Sequence, residues 1–187
     1  MHDSSGSKTE RINKTMTTNC TFFNILTAQP ELSQDPAFGE SVIVMFRKGD
    51  EFFGFNIAGR RGKIAVHAGG PMNLGPMFAL LVSDADYWTL AESNLVNSQL
   101  LPIGQSGYGI AFVDYGNGQS VDTLMGEKVM ILDGYGAWGA DQLRQEITTH
   151  RFWSPTSATI SELLTVPWSQ RWTLARSKSI SPVLEKE

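Results

Sequence analysis

Residues 128–147 read KVMILDGYGAWGADQLRQEI. A short apolar run, Val129 to Leu132, is followed by Gly134, Gly136 and Gly139, and then by a segment with helical spacing from Ala140 to Thr149. In that segment Leu143 and Ile147 fall at i and i+4 on one face, and Asp141 lies in the first turn, where negative charge suits the helix macrodipole. Gly-x-Gly-x-x-Gly between a strand and a helix is the setting in which glycines let a backbone approach a pyrophosphate at a helix start. A dinucleotide fold also needs an acidic residue closing a second strand about 20 residues further on. Here HRFWSPTSATISELL follows, with Pro155, several Ser and Thr, and no β-branched run; Glu162 has the right distance but sits in a segment reading as helix or turn. Too few residues follow Gly139 for the rest of such a domain, and this is not the first βα unit of the chain. The expectation is a sharp glycine turn with Trp138 packed nearby, and no cofactor.

Upstream the chain reads as strands. Thr21–Ala28, Ser41–Arg47, Glu51–Ile57 and Lys63–His67 are short β-branched or aromatic runs bounded by turn signals. Lys48-Gly49-Asp50 predicts a hairpin. Met77–Val82, Ile110–Asp114 and Val129–Leu132 are further strand candidates. Helices are expected late: one over Ala140–Thr149, and one opened by Pro167 in its first turn, with Trp168, Trp172 and Ala175 as an apolar core stripe. Strands first and helices later indicate an α+β class. Residues 1–19 are polar and expected to be a disordered tail, 20–178 a single folded domain, and 179–187 a flexible tail.

Composition narrows the function. The 187 residues carry a net charge of −4 and are 41% hydrophobic, enough for one domain with a real core. An acidic chain without a helix-turn-helix signal makes direct DNA binding a poor fit. Arg60-Arg61-Gly62-Lys63, with Arg47-Lys48, reads as a solvated turn rather than a phosphate site. The single cysteine, Cys20, forms no internal disulfide and has no neighbour to activate it. No apolar run reaches the roughly 18 residues of a membrane span, and no secretory h-region is visible, so a soluble cytoplasmic protein is expected.

The glycine stretch also carries a resemblance. Gly134-Tyr135-Gly136-Ala137-Trp138 continuing through Gln142-Leu143 to Glu146 resembles the G-Y-x-x-W-x-x-x-Q-L-x-x-E signature of the YqgE/AlgH family of bacterial proteins. Ala28-Gln29-Pro30, Asp35-Pro36-Ala37-Phe38 and Ser41-Val42 are similar to its opening, Gly69-Gly70-Pro71 to its G-G-P turn, and Trp153, Pro155, Pro167 and Arg171-Trp172 to its closing segment. The ordered set spans most of Thr21 to Arg176. Two segments depart from the pattern: Ala58 stands where the family carries Asn, and the helix near Asn117–Met125 is expected to be shortened. The resemblance implies an α+β domain of coiled, bifurcated, mainly antiparallel sheets flanked by helices. It implies no reaction; members are often described as transcriptional regulators.

Other chemistry is thinly supported. Gly104-Gln105-Ser106-Gly107-Tyr108 misses the G-x-S-x-G elbow at its last position, and a serine hydrolase would need His67 or His150 as base. The histidines lack metal-ligand spacing, so no metal is expected. His150, four residues after Glu146, reads as half of a helix-surface pair, and Asp84-Ala85-Asp86 as a solvated loop. A non-catalytic protein that binds an unknown protein partner or small ligand is the expectation. The alternative is a nucleotide-binding protein or enzyme using the same helix start. Candidate ligand-binding residues are Gly69 and Gly70 on one turn and Gly134, Gly136, Trp138, Gly139, Asp141 and Gln142 on the other, where free backbone N–H groups gather.

Overall fold

The computed structural model describes residues 24–32, 34–63, 65–96, 98–114 and 129–180. Expectations for the 1–19 tail, Cys20, the start of the first strand, Asn117–Met125 and residues 181–187 lie outside the described residues.

The strands are β1 Ile25–Ala28, β2 Val42–Lys48, β3 Glu51–Asn56, β4 Val66–Ala68, β5 Met77–Ser83, β6 Leu101–Pro102, β7 Tyr108–Asp114, β8 Met130–Asp133, β9 Gly136–Gly139 and β10 Trp153–Pro155. The helices are α1 Asp84–Glu92, α2 Ala140–Thr148, α3 Ile160–Leu164 and α4 Trp168–Ser177. They build one α+β domain with two mainly antiparallel sheets and most helices in the C-terminal half. Sheet A runs β10-β1-β2-β3-β9 and sheet B runs β4-β8-β5-β7-β6. Only the β4–β8 pairing is parallel among the described strands.

The run VIVM in β2 is buried at every position because sheet A is covered on both faces. Val42 and Val44 face sheet B, packing with Phe55, Ile57, Leu81, Ile110 and Leu132. Ile43 and Met45 point the other way, toward Phe52, Trp138, Trp153 and the α2 residues Leu143 and Ile147. On the far side of sheet B, Leu80, Val82 and Val113 pack with Tyr87 and Leu90 of α1. The hairpin at Gly49-Asp50 forms as expected, with Lys48 opposite Glu51 and Gly49 at φ 62°.

Several expectations are corrected. Asp84-Ala85-Asp86 is not a solvated loop but the first turn of α1, capped by the Ser83 hydroxyl, which accepts from the Asp86 N–H at 3.2 Å. Within α1, Tyr87 is buried and its neighbour Trp88 is exposed, so the apolar residues there do not keep to one helical face. Residues 153–155 form an edge strand against β1, a position in which Pro155 costs no central ladder bond. Of the expected α4 stripe only Ala175 is buried; Trp168 and Trp172 are half-buried, and the fully packed residue between them is Arg171. The largest correction concerns the opening stretch. Gly136 to Gly139 is not a turn but strand β9, paired antiparallel with β3 from Gly136↔Gly54 to Gly139↔Glu51.

Candidate functional site

Gly134 marks the point where the chain leaves β8 in sheet B and enters β9 in sheet A. At that point the backbone meets the Gly69-Gly70-Pro71 segment, as expected. The Gly69 N–H donates to the Asp133 carbonyl at 2.7 Å, and Met72 and Tyr135 exchange backbone hydrogen bonds of 2.8 and 3.1 Å. Gly134 has φ 86° and Gly70 has φ 152°. A Cβ on Gly134 would lie 2.2 Å from the Gly70 carbonyl oxygen, and one on Gly70 would lie 2.3 Å from the Tyr135 carbonyl carbon. Two glycine backbones therefore touch directly, and the N–H groups of Gly69, Met72 and Tyr135 are used in the contact.

The expected site is split between two clefts. Gly70 borders one cleft, of about 680 Å³, together with Glu40, Asn56, Arg60, Trp168 and Ser169. Trp138 and Gln142 border another, of about 500 Å³, on the other side of the Asp35–Glu40 loop. Gly69, Gly134 and Gly136 belong to the glycine contact itself, with Gly136 lying close against the Trp138 ring. Gly139 is the N-cap of α2 and supplies no side-chain cap; Asp141 is exposed and forms an i,i+3 ion pair with Arg144 at 3.6 Å. An acidic first turn, whose nearby Arg144 is already paired with Asp141, suits an anion poorly.

The Asp35–Glu40 loop separating the clefts is fixed at both ends of its Asp-x-x-Phe motif. The Asp35 Oδ1 accepts from the N–H groups of Ala37 and Phe38, both at 2.8 Å. Phe38 then inserts its ring against Trp138 and Trp153, at centroid distances of 5.3 and 5.5 Å. The 680 Å³ cleft is held from the opposite side by Asn56. Its Oδ1 accepts from the Val42 and Ala58 N–H groups and its Nδ2 donates to Ser41. The start of α4 closes that cleft. Pro167 is its N-cap, and no side chain caps its first turn.

Behind this cleft lies Arg171, 9% exposed. Its Nε donates to the Leu163 carbonyl and its Nη1 to the Ile57 carbonyl, each at 2.9 Å. The guanidinium thus ties the C-terminal end of α3 to the exit of β3, and burial holds it below its ordinary value. His67 sits nearby, its Nδ1 3.1 Å from the Gly59 carbonyl and its ring edge-on to Trp168. Burial lowers its pKa most, the Gly59 hydrogen bond raises it, and Arg171 and Arg61 lower it further. Neither residue stood out in the sequence as a pair. Arg171 appeared only as half of an Arg-Trp motif, and the element that brings the two together is α4.

The remaining candidates are engaged elsewhere. Ser106 exchanges hydrogen bonds with the Tyr108 backbone in the β6–β7 turn. His150 stacks on Phe152 at 5.3 Å, and Glu146 accepts from the Trp153 indole instead of pairing with His150. Among the described residues no group of three or more His, Cys, Asp or Glu side chains could hold a metal. No helix there is long and apolar enough to cross a membrane. A third, more apolar groove of about 910 Å³ runs between the sheets past Phe53, Phe55 and Phe112.

One domain of two coiled sheets, crossed where Gly134 meets Gly70 and closed by C-terminal helices, defines the class of protein. The chain belongs to the AlgH-like family, whose model matches residues 25–180. It is similar in fold to the solution structure of the AlgH protein from Pseudomonas aeruginosa, at 21% identity over 95% of this chain and 92% of that one, with a TM-score of 0.54. The crystal structure of protein DIP2367 from Corynebacterium diphtheriae matches at 21% identity over 76% of this chain and 79% of that one, with a TM-score of 0.47. No curated protein matches.

Proposed function

We propose that this chain is a non-catalytic binding protein that takes a small polar ligand, or a segment of a protein partner, in the 680 Å³ cleft beside Gly70. The observation carrying this reading is the construction of that cleft. Its back is an inextensible glycine wall, its side is the fixed Asn56, and its mouth holds Arg60, Glu40 and the uncapped first turn of α4. Rigid walls with a few convergent polar groups are what a recognition site requires. Gly69, Gly134 and Gly136 support the site as its frame rather than as ligand contacts. The net charge of −4 favours a protein or metabolite over DNA, so a regulatory role in a bacterial cytoplasm is exerted through such a partner.

A thermal-shift screen against nucleotides, phosphorylated metabolites and dicarboxylates tests the idea. A ligand of this cleft raises the melting temperature saturably, and Arg60→Glu abolishes that shift while leaving the unliganded melting temperature unchanged, because Arg60 is exposed. A shift that survives R60E, or a screen with no response, counts against the cleft. Gel retardation of duplex DNA at low salt by the same protein would overturn the preference for non-nucleic-acid partners.

A further inference from the structure

The 500 Å³ cleft lies on the other side of the Asp35–Glu40 loop and is independent of the cleft just discussed. Aromatic rings form its floor. Phe38, Trp138 and Trp153 are in mutual contact, the two tryptophans meeting edge to face at 5.9 Å. The tryptophans are almost fully buried, so Phe38 and Phe152 are the rings left partly open to the cleft.

Two carboxylates, of Asp35 and Glu146, line this cleft, and both are held in place. Asp35 is oriented by two backbone N–H groups, and Glu146 by the Trp153 indole N–H at 3.1 Å. Among the described residues neither forms an ion pair with a cation. Among the described residues the cleft is lined by no lysine or arginine; its other polar groups there are Gln142, Gln145 and His150.

We infer that this cleft binds an organic ammonium group carrying apolar substituents. Fixed carboxylates with no paired cation among the described residues attract one. Ring faces carry negative quadrupole charge and favour a weakly hydrated one. A bare metal ion fits poorly, because it needs several clustered ligands and among the described residues no group of three or more His, Cys, Asp or Glu side chains could hold one. An apolar-substituted ammonium satisfies both surfaces. It brings positive charge to Glu146 and Asp35, and methyl or methylene groups to Phe38 and Phe152. The shared chemistry is found in a free metabolite such as a choline-like amine and in a methylated lysine side chain of a protein.

The test is an NMR titration of the full chain with choline and with 3,3-dimethyl-1-butanol, its uncharged isostere, following the assigned indole N–H signals of the tryptophans. Choline is expected to saturate below about 10 mM and to shift Trp138 and Trp153 but not Trp168, with the isostere at least about fivefold weaker. Glu146→Gln retains an acceptor for the Trp153 indole, so it keeps the melting temperature and weakens choline by at least about threefold. Nα-acetyl-trimethyllysine amide run in parallel assigns the source. Tighter binding than choline indicates a protein side chain, and weaker binding a free amine; either supports the cation site. Equal affinity for choline and its isostere, an unchanged affinity in E146Q, or no saturable shift at the two indoles would overturn it.

Discussion

Thr27 is wholly buried in the middle of sheet A, and its hydroxyl finds no partner among the described residues. An unpaired buried hydroxyl costs more than it contributes, and valine has nearly its shape. Thr27→Val is expected to raise stability by about 1 kcal/mol, read as a shift in the urea midpoint. A lower midpoint would mean that an ordered water satisfies the oxygen. His67 makes a second prediction. Burial beside Arg171 and Arg61 keeps its folded pKa below the ordinary 6.5, so the unfolded chain takes up the proton first. Its contribution is complete above about pH 6.5 and is lost as pH falls from there through the lowered folded value. His67→Gln should flatten the fall in melting temperature as pH drops below about 6.5, relative to the parent chain. A parallel loss in both proteins would assign the acid sensitivity to other groups.

Among the elements, β9 decides how the glycine motif is understood. Gly134→Ala forces a side chain into the Gly70 carbonyl at a positive φ, and is expected to destabilise the fold by more than about 2 kcal/mol. Gly139→Ser, with open space around it at the N-cap of α2, should gain a few tenths of a kcal/mol. Denaturant curves for the two variants separate a frame from a phosphate loop; a similar, small effect of both would contradict the backbone contact. Period and turn chemistry made β2, β3, β5, β7, β8 and α2 legible in the sequence, because each keeps a long apolar pattern between clear punctuators. What was not legible were elements defined by their neighbours. β9 is half glycine and is a strand only because β3 lies beside it, and β10 contains a proline that only an edge tolerates. The candidate site was legible as a meeting of two glycine segments. Its division into two clefts was not, because the divider is the Asp35–Glu40 loop, whose Phe38 gives no local sign of reaching Trp138 and Trp153.

At the scale of the whole molecule, sheet A is assembled from both ends of the described chain. β1, β2 and β3 come early, and the flanking strands β10 and β9 come late. The buried Arg171 and the Trp172 indole, which donates to the Ala28 carbonyl at 2.8 Å, carry α4 across the same early strands. A chain ending at Thr149 keeps every other strand but loses β10, α3 and α4. It should show no cooperative thermal transition, a result that circular dichroism would establish directly. A sharp transition near that of the parent would mean that the C-terminal helices are accessory.

The crossing at Gly134 also governs synthesis. Until that residue has left the ribosome, the growing polypeptide holds an apolar three-stranded ribbon with both borders unpaired, for as long as it takes to make everything from β4 to β8. Such borders accept any strand offered, including β9 or β10 of a neighbouring nascent copy. Exchange of those late strands between two copies would keep every native pairing intact, so slower translation between β3 and β9 is expected to raise the share of interlocked dimer over monomer.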